Sequence, residues 1–268
     1  MSDLTDVQCG GFAWRECGDG ELVVLLHGLG GSRISWDPQL EAIGRSRRAV
    51  AWDLPGYGDA EPLAVQPVTF RGLADAAAQL IEHLAGAPAH VVGISMGGMI
   101  AQYLAAWHPA AVRSLTLLSS SPAFGLDGTH PDTWQAARLA PLDDGLQPSD
   151  FADRVLRNIA GPHISPAAFE AQRAAMARIT AGALRSSIEC IVTHDTRPLL
   201  ATIDTPTMVM VGSLDEETPL TYSQHLADRI PGATLAVIPD AGHLLNAEAP
   251  DAVNELIIAH LDRVESST

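Results

Sequence analysis

Short apolar runs alternate along most of this chain with segments in which apolar residues recur every three or four positions. A short apolar run indicates a buried β-strand, whereas the wider spacing indicates a helix with one apolar face. The strand predictions, by residue number, are 22–26, 49–52, 89–92, 114–118, 207–211 and 234–238. The helix predictions are 72–84, 99–107, 223–229 and 252–264.

This alternation of strands and helices is typical of an α/β protein with a mostly parallel sheet. Residues 7–17 add a predicted antiparallel hairpin at the edge of the sheet, with Gly10 and Gly11 in its turn. The chain has 268 residues, which is enough for one large α/β domain with a sizeable core.

The alternation breaks between Pro122 and Pro198, where the pattern contains no convincing buried strand. Prolines interrupt this segment, and it predicts several short helices near Trp134, Phe151 and Phe169 and from Ala183 onward. Such an insertion after the fifth or sixth strand predicts a cap over the carboxyl ends of the strands, where ligands of open α/β sheets bind. The predicted domains are a core of residues 1–121 and 198–268 and a cap of residues 122–197. The alternative is a small helical domain without a role in binding.

The formal net charge of −16 disfavours partners with anionic surfaces. Phosphate backbones and anionic lipids repel such a chain, so we expect neither a nucleic-acid nor a membrane-surface role. All 16 basic residues are arginine. Without lysine the chain cannot form a lysine Schiff base, anchor pyridoxal phosphate, or use a P-loop lysine or a Ser-Lys dyad.

Composition and cysteine usage favour a globular protein of the cytoplasm. Hydrophobic residues make up 47% of the chain and the mean hydropathy is +0.11, which argues against disorder. No apolar run is long enough to span a bilayer, and the polar, acidic start of the chain is unlike a secretory signal. The three cysteines, Cys9, Cys17 and Cys190, have no metal-like spacing and indicate reduced thiols.

Gly93-Ile94-Ser95-Met96-Gly97 fits the pattern G-x-S-x-G and lies between a predicted strand and a predicted helix. In a nucleophile elbow the serine occupies a sharp, strained strand-to-helix turn, where glycines avoid collisions with neighbouring backbone. The turn lifts the serine hydroxyl clear of the sheet at a positive helix N-terminus. Ser95 is therefore the candidate nucleophile. The alternative is a glycine-rich turn with an incidental serine.

A serine nucleophile needs a base within hydrogen-bond reach, and the base needs an acid that orients it. His243 follows the last predicted strand and precedes the last predicted helix. This order places it in a loop at the same edge of the sheet as Ser95. His243 is therefore the candidate base.

The orienting acid is expected between the serine and the histidine in chain order. Asp215 directly follows a predicted strand and is the candidate, with Glu216 and Glu217 as rivals by proximity. An acid could also follow the preceding strand, but there the chain reads Ser119-Ser120-Ser121. The missing acid at that position favours Asp215.

An oxyanion hole needs two backbone N–H donors that point at the developing negative charge. Met96, the residue after the serine, is expected to supply one donor. The loop after the first parallel strand is expected to supply the other, and Leu29 is the candidate because adjacent glycines let the backbone approach a substrate closely. His27 in the same loop is expected to be structural.

The sequence implies no metal site. It contains no H-E-x-x-H, no C-x-x-C and no clustered carboxylate–histidine pattern. Asp53, which precedes Leu54-Pro55-Gly56, is interpreted as the brace of a tight turn rather than as an acidic site.

Five segments of the chain together resemble the α/β-hydrolase superfamily. They are LLHGLGGS, AWDLPGYGDA, VVGISMGGMIAQ, VMVGSLDEETP and IPDAGHLLNAEAP. The resemblance implies an α/β-hydrolase fold: a mostly parallel eight-stranded sheet with helices on both faces and a helical cap. It also implies a Ser95–Asp215–His243 triad and no cofactor. Within the superfamily, the chain is most similar to carboxylesterases and 3-oxoadipate enol-lactonases.

The leading hypothesis is hydrolysis of a small-molecule carboxylic ester or lactone through an acyl-enzyme. Fold analogy leaves open carbon–carbon bond hydrolysis of a vinylogous diketone and cofactor-free perhydrolysis, both with a similar triad. A hypothesis of another class is a ligand receptor that kept the triad but turns over negligibly. The sequence does not determine the oligomeric state.

The predicted cap holds the candidate substrate-binding residues Trp134, Arg138 and Met176. Arg138 is one of several arginines in this segment. Most of them are expected to be solvated or paired with acids, and any one that is not could bind a substrate carboxylate. The apolar residues could instead form the packing of the cap itself.

Overall fold

The computed structural model describes residues 3–267, and within them eight strands form one sheet. The strands are β1 (Thr5–Cys9), β2 (Phe12–Cys17), β3 (Leu22–Leu26), β4 (Arg48–Trp52), β5 (Ala89–Ile94), β6 (Val112–Leu118), β7 (Thr207–Gly212) and β8 (Thr234–Ile238). Their order across the sheet is β1-β2-β4-β3-β5-β6-β7-β8. The pairs β1–β2 and β2–β4 are antiparallel, and all others are parallel. The predicted mostly parallel sheet with an edge hairpin is confirmed.

Ten α-helices lie within residues 3–267. They are α1 (Asp37–Ile43), α2 (Phe70–Ala85), α3 (Met96–Trp107), α4 (Pro131–Asp143), α5 (Pro148–Ile159), α6 (Pro166–Met176), α7 (Ala181–Ile191), α8 (Leu220–Arg229), α9 (Leu245–Glu248) and α10 (Pro250–Ser266). In this part of the chain, none of the helices has both the length and the apolar character that crossing a lipid bilayer requires.

Strand β3 illustrates how helices cover both faces of the sheet. Leu22, Val24 and Leu26 belong to one apolar cluster together with α2, α3 and α8. Val23 and Leu25 belong to a second cluster together with α1 and α10. Successive side chains of a strand point to opposite faces, and all five residues of β3 are buried. A strand that is buried on both faces reads as an unbroken apolar run, which is why the sequence pattern located it.

The central strands and the longer helices lie where the apolar pattern predicted them. Strands β3 and β8 have the predicted bounds, and the other predicted strands are longer by one or two residues. Helix α3 begins at Met96, three residues before the predicted start, because Gly97 and Gly98 have low helix propensity and concealed its first turn. Helices α1 and α9 were not predicted. With seven and four residues, they are too short to display a helical period.

Helices α4 to α7 lie in the segment for which a cap was predicted, and they are called the cap helices below. They follow β6 and precede β7. Proline is the first residue of α4, α5 and α6, a position where its missing N–H has no partner to lose and its fixed φ suits the helix. Helix α7 follows Thr180, whose side chain accepts a hydrogen bond from the N–H of Ala183. Three of the prolines that interrupt the pattern of this segment therefore start helices. All four helices include the positions at which they were predicted.

Candidate active site

Ser95 occupies the sharp turn between β5 and α3. Its φ of 52° and ψ of −120° are uncommon for a residue with a side chain, so the turn stores strain. Two hydrogen bonds hold it in place. The Ser95 N–H donates to the carbonyl oxygen of Leu118 at 2.9 Å, and the Ser120 hydroxyl donates to the carbonyl oxygen of Ser95 at 3.0 Å. Leu118 at the end of strand β6 and Ser120 just after it thus hold the backbone N–H and the carbonyl group of the candidate nucleophile.

Close backbone packing requires the glycines of this turn. A Cβ on Gly97 would overlap the carbonyl oxygen of Leu26 on strand β3, and a Cβ on Gly93 would overlap the carbonyl oxygen of Gly97. Both obstacles are backbone atoms, which cannot swing aside as a flexible side chain could. The spacing G-x-S-x-G therefore follows from how closely α3 starts against the sheet.

Asp215 and His243 meet at the carboxyl edge of the sheet, after β7 and β8 respectively. Nδ1 of His243 lies 3.1 Å from each carboxylate oxygen of Asp215. The side chains of His243 and Asp215 are 8% and 0% exposed. Because a carboxylate can only accept a hydrogen bond, the ring donates from Nδ1. This contact leaves Nε2 as the basic nitrogen of the neutral ring.

Three further donors hold the Asp215 carboxylate. Oδ1 accepts from the N–H groups of Glu217 at 3.0 Å and Thr218 at 2.9 Å. Oδ2 accepts from the Thr218 hydroxyl at 2.8 Å. Glu216 and Glu217, the rival acids, are exposed. Asp215 is thus the acid of this loop that the fold buries against the ring of His243.

Opposing effects set the pKa values of the buried pair. Burial disfavours the charged carboxylate, but the His243 ring and the hydrogen bonds from His243 and Thr218 outweigh it and hold the pKa of Asp215 below its ordinary value. Burial also disfavours a charged imidazole, but Asp215, with smaller contributions from Glu217 and Glu248, raises the pKa of His243 above its ordinary value. The pair is therefore suited to stabilise an imidazolium.

Ser95 and His243 line one cavity of about 330 Å³. Within residues 3–267, no direct hydrogen bond joins the Ser95 hydroxyl to the His243 ring, whose bonds are those to Asp215 and Thr218. The fold therefore brings the candidate base and its orienter into contact and places the candidate nucleophile in the same cavity. Catalytic hydrogen bonds often tighten only when substrate binds.

The two candidate oxyanion donors belong to segments that adjoin Ser95. Met96 is the first residue of α3, and N–H groups of a first helical turn have no partner within the helix. Leu29 lies in a turn that the Gly31 N–H closes by donating to the Gly28 carbonyl oxygen at 3.0 Å. A Cβ on Gly28 would lie 3.0 Å from the Cβ of Ser95. A side chain at position 28 would therefore crowd Ser95.

His27 is structural, as the sequence predicted. Its Nδ1 donates to the carbonyl oxygen of Gly28 at 2.9 Å, and its Nε2 accepts from the N–H of Leu54 at 3.0 Å. The ring is fully buried, and burial lowers its pKa. A neutral ring with both nitrogens hydrogen-bonded braces the Leu29 turn.

The candidate substrate-binding residues Trp134, Arg138 and Met176 all line the cavity that Ser95 lines. Arg138 Nη2 lies 2.7 Å from a carboxylate oxygen of Glu217, and its guanidinium lies 4.3 Å from the centre of the Trp134 ring. From the sequence we expected most arginines of the cap to be solvated or paired with acids, and Arg138 is paired with Glu217. It is therefore not free to bind a substrate carboxylate while this ion pair persists.

The sequence did not assign roles to three residues that hold the site. The Ser120 hydroxyl supports the Ser95 backbone, and the Thr218 hydroxyl supports the Asp215 carboxylate. The third residue is Glu248, whose carboxylate accepts from the N–H of Gly161 at 2.9 Å. An Asp side chain often bonds the backbone N–H two residues on, and the turn that this bond forms brings Thr218 within reach of the Asp215 carboxylate. This signal was available in the sequence. No local pattern identified the other two.

One group within residues 3–267 could offer three ligand atoms to a metal ion, and it lies away from this cavity. The ligand atoms of Glu21, His90 and Glu265 are within 4.8 Å of one another, near the start of β5 and hence at the opposite edge of the sheet. Arg113 binds the Glu21 carboxylate and Arg47 binds the Glu265 carboxylate. Guanidinium groups therefore already balance the carboxylate charges, and the group acts as an ion-pair network between α10 and the sheet.

A sequence model of the alpha/beta hydrolase family matches residues 23–256. This protein therefore belongs to the alpha/beta hydrolase family. The match spans both the strands that carry the candidate triad and the cap helices between them. It confirms the fold class and the family resemblance that the sequence motifs predicted.

The proteins to which this chain is similar include esterases and a lactonase. It is 34% identical over 235 residues to the pimeloyl-(acyl-carrier protein) methyl ester esterase of Neisseria meningitidis serogroup A, which covers 85% of this chain and 73% of that protein. The enol-lactonase structure from Burkholderia xenovorans has a TM-score of 0.85 and 25% identity over 96% of this chain and 100% of that one. A hydrolase structure from Pseudomonas aeruginosa has a TM-score of 0.85 and 28% identity over 97% and 98%. The predicted class of enzyme, a hydrolase, is confirmed.

Proposed function

We propose that this protein is a serine hydrolase that cleaves a small-molecule carboxylic ester or lactone through an acyl-enzyme. The observation that carries the proposal is the buried Asp215–His243 contact at the cavity lined by the strained Ser95. A buried carboxylate that orients an imidazole in the cavity that a serine also lines is the arrangement that can activate a hydroxyl nucleophile.

In the acylation half of the reaction, the Ser95 hydroxyl attacks the carbonyl carbon while Nε2 of His243 takes its proton. The Asp215 carboxylate stabilises the imidazolium that forms. The negative charge on the former carbonyl oxygen is stabilised by the N–H groups of Leu29 and Met96. His243 then donates its proton to the departing alkoxide, which leaves an ester between Ser95 and the acyl group.

In the deacylation half, His243 takes a proton from water, and the resulting hydroxide attacks the acyl carbonyl carbon. The same backbone N–H groups stabilise the second oxyanion. Return of the proton to the Ser95 oxygen releases a carboxylic acid and restores the enzyme. With a lactone, the alkoxide stays attached to the acyl group, so one hydroxy acid is the product.

The ester or lactone bond is supported by the relatives, one named as a methyl ester esterase and one as an enol-lactonase. Carbon–carbon bond hydrolysis and perhydrolysis use similar residues, and product analysis distinguishes them. We also retain the cytoplasm as the proposed location, on the basis of the cysteine content.

We propose that residues 122–197 act as a cap over the site and that residues 1–121 and 198–268 form the catalytic core. Three cap helices support this division because each contributes to the cavity lining. Trp134 belongs to α4, Ile159 to α5 and Met176 to α6. A roof built from these side chains would exclude water and select the substrate.

The test compares the native protein with Ser95→Ala and with Ser266→Ala, a control at the exposed end of α10. Each is assayed with p-nitrophenyl esters and simple lactones and treated with a serine-directed fluorophosphonate. Ser95→Ala should lower kcat at least about a thousandfold and abolish labelling, with an unchanged circular dichroism spectrum. The Ser266→Ala control should retain turnover and labelling.

Two results would contradict the proposal in different ways. Labelling of Ser95 without turnover of any ester or lactone would indicate an activated serine that serves another reaction. The absence of both labelling and turnover in the native protein would favour the receptor hypothesis.

A further inference from the structure

A second cavity of about 420 Å³ lies beside the catalytic cavity, among the cap helices. The two cavities share part of their lining. The residues that line both cavities include Leu29, Met176, Arg138 and Glu217. They are therefore neighbouring compartments, and the candidate oxyanion donor Leu29 lies at their common wall.

The inner wall of the second cavity is apolar. Its lining includes Phe151 of α5, which is 6% exposed. It also includes Leu184 and Ile188 of α7, which are 3% and 2% exposed. Apart from the Arg138–Glu217 pair, the polar lining residues are exposed, and they are Asp144, Arg154 and Asn158. A wall of this kind favours a flexible hydrocarbon chain, because burial of each methylene removes apolar surface from water without a need for hydrogen-bond partners.

An ion pair lies at the common wall of the two cavities. Arg138 Nη2 is 2.7 Å from a carboxylate oxygen of Glu217, and the Trp134 ring supports the guanidinium at 4.3 Å. Trp134 is itself packed edge-on against Phe124, with ring centres 5.3 Å apart. The guanidinium is therefore held by a carboxylate on the core side and an aromatic ring on the cap side.

We propose that the second cavity is a binding subsite for an unbranched apolar chain of the substrate and that the Arg138–Glu217 ion pair is its gate. The proposal rests on the ester or lactone hydrolysis proposed above. With the gate closed, a chain that fills the catalytic cavity meets two charged groups, and an alkyl chain cannot compensate for their lost hydration. Only short chains then bind well.

The gate can open because its charges are partly solvated. The side chains of Arg138 and Glu217 are 33% and 35% exposed, so each can turn toward water when the pair separates. A chain that passes between them reaches Phe151, Leu184 and Ile188. The pair therefore determines the chain length that the site accepts.

The test measures kcat/KM for p-nitrophenyl esters with acyl chains from two to twelve carbons. Glu217→Gln and Arg138→Met each remove one charge of the gate at nearly constant side-chain size. Both variants should move the optimum to longer chains and raise the ratio of kcat/KM for the ten-carbon ester over the four-carbon ester about tenfold. Any effect of Glu217 on the pKa of His243 changes kcat/KM for both esters by the same factor, so it cancels in this ratio.

The matched control is another ion pair of the cap helices, Arg185–Asp143, whose partners are absent from the lining of both cavities. Arg185→Gln should leave the chain-length profile unchanged. The double variant Arg138→Glu/Glu217→Arg rebuilds the pair with its charges exchanged and should return the profile toward that of the native protein. An unchanged profile in Glu217→Gln and Arg138→Met would overturn the proposal. Esters of the same lengths with a terminal carboxylate on the acyl chain are assayed in parallel. A gain confined to them would also overturn the proposal, because the pair would then select charge rather than length.

A binding experiment separates failure of the gate from failure of the proposed function. In the Ser95→Ala background, calorimetry measures the affinity for 1-alkanols of increasing length. The gain in affinity per methylene should stop at the length that fills the catalytic cavity, and it should continue in Ser95→Ala/Glu217→Gln. Identical series in the two proteins would overturn the gate, whatever bond the native protein cleaves.

Discussion

The Glu248 carboxylate holds the backbone on both sides of His243. Its Oε2 accepts from the N–H of Gly242 at 2.7 Å, and its Oε1 accepts from the N–H of Leu244 at 3.0 Å. Oε2 also accepts from the N–H of Gly161, which lies just beyond cap helix α5. One carboxylate thus fixes the loop of the candidate base and ties it to the cap. Its negative charge contributes to the raised pKa of His243.

We expect Glu248→Gln to lower kcat about tenfold, because the amide nitrogen cannot accept and at least one of the three backbone N–H groups loses its partner. Loss of the negative charge should also lower the pKa of His243, so the acid limb of the kcat/KM profile should move to lower pH. The measurement is kcat/KM from pH 5 to pH 9. Glu255→Gln on the exposed face of α10 is the control and should behave as the native protein. An acid limb that stays in place in Glu248→Gln would show that this charge does not act on the base.

Asp215→Asn should lower kcat by about a thousandfold or more, because an amide can stabilise neither the imidazolium nor the required tautomer. Asp215 raises the pKa of His243 above the ordinary 6.5, so kcat/KM of the native protein should fall as the pH drops through a midpoint above 6.5. The variant should lose this elevation. The pKa of the ring is measured by NMR in Ser95→Ala and in Ser95→Ala/Asp215→Asn. Equal values in the two proteins would contradict the assignment of Asp215 as the orienter.

Gly97→Ala should destabilise the fold by about 2 kcal/mol or more, because the new Cβ meets backbone that cannot move without displacing strand β3. It should also reduce fluorophosphonate labelling of Ser95. Gly182 in α7 provides the control, since a Cβ there meets nothing within 4 Å. Gly182→Ala should stabilise the protein by up to about 1 kcal/mol through helix propensity. Both free energies of unfolding come from urea denaturation, and equal values would refute the packing argument.

The buried ring of His194 should lower the free energy of unfolding as the pH falls from 7 to 5. Its Nε2 donates to the carbonyl oxygen of Ser121 at 2.8 Å, and burial lowers its pKa from 6.5 to about 4. Between these values the unfolded chain binds a proton that the folded chain does not, so the free energy of unfolding falls as the pH falls. For this ring the decrease from pH 7 to pH 5 is about 2 kcal/mol.

The variant His194→Gln should lose this part of the pH dependence. Urea denaturation at pH 7 and pH 5 measures the decrease in each protein, so any packing defect in the variant cancels. His163→Gln removes an exposed histidine and should leave the decrease unchanged. A decrease in His194→Gln as large as in the native protein would mean that other groups cause the acid sensitivity.

Much of the fold could be predicted because the spacing of apolar residues in the sequence indicates which positions are buried. A strand covered on both faces, such as β3, must be apolar throughout, and the chain order of strands and helices then restricts the topology. The same order placed Ser95, Asp215 and His243 after parallel strands, hence at one edge of the sheet. Helices α1 and α9 escaped prediction because a short helix has no period to detect.

The sequence by itself determined the sheet, the positions of the cap helices and the residue types available for chemistry at the sheet edge. Only the tertiary structure decided which distant groups touch. Arg138 and Glu217 are 79 positions apart, and Glu248 and Gly161 are 87 apart. The physical reason is that burial requires apolar residues at regular spacing along the sequence. The pairing of two distant polar groups depends instead on loop conformations, which no local sequence pattern specifies.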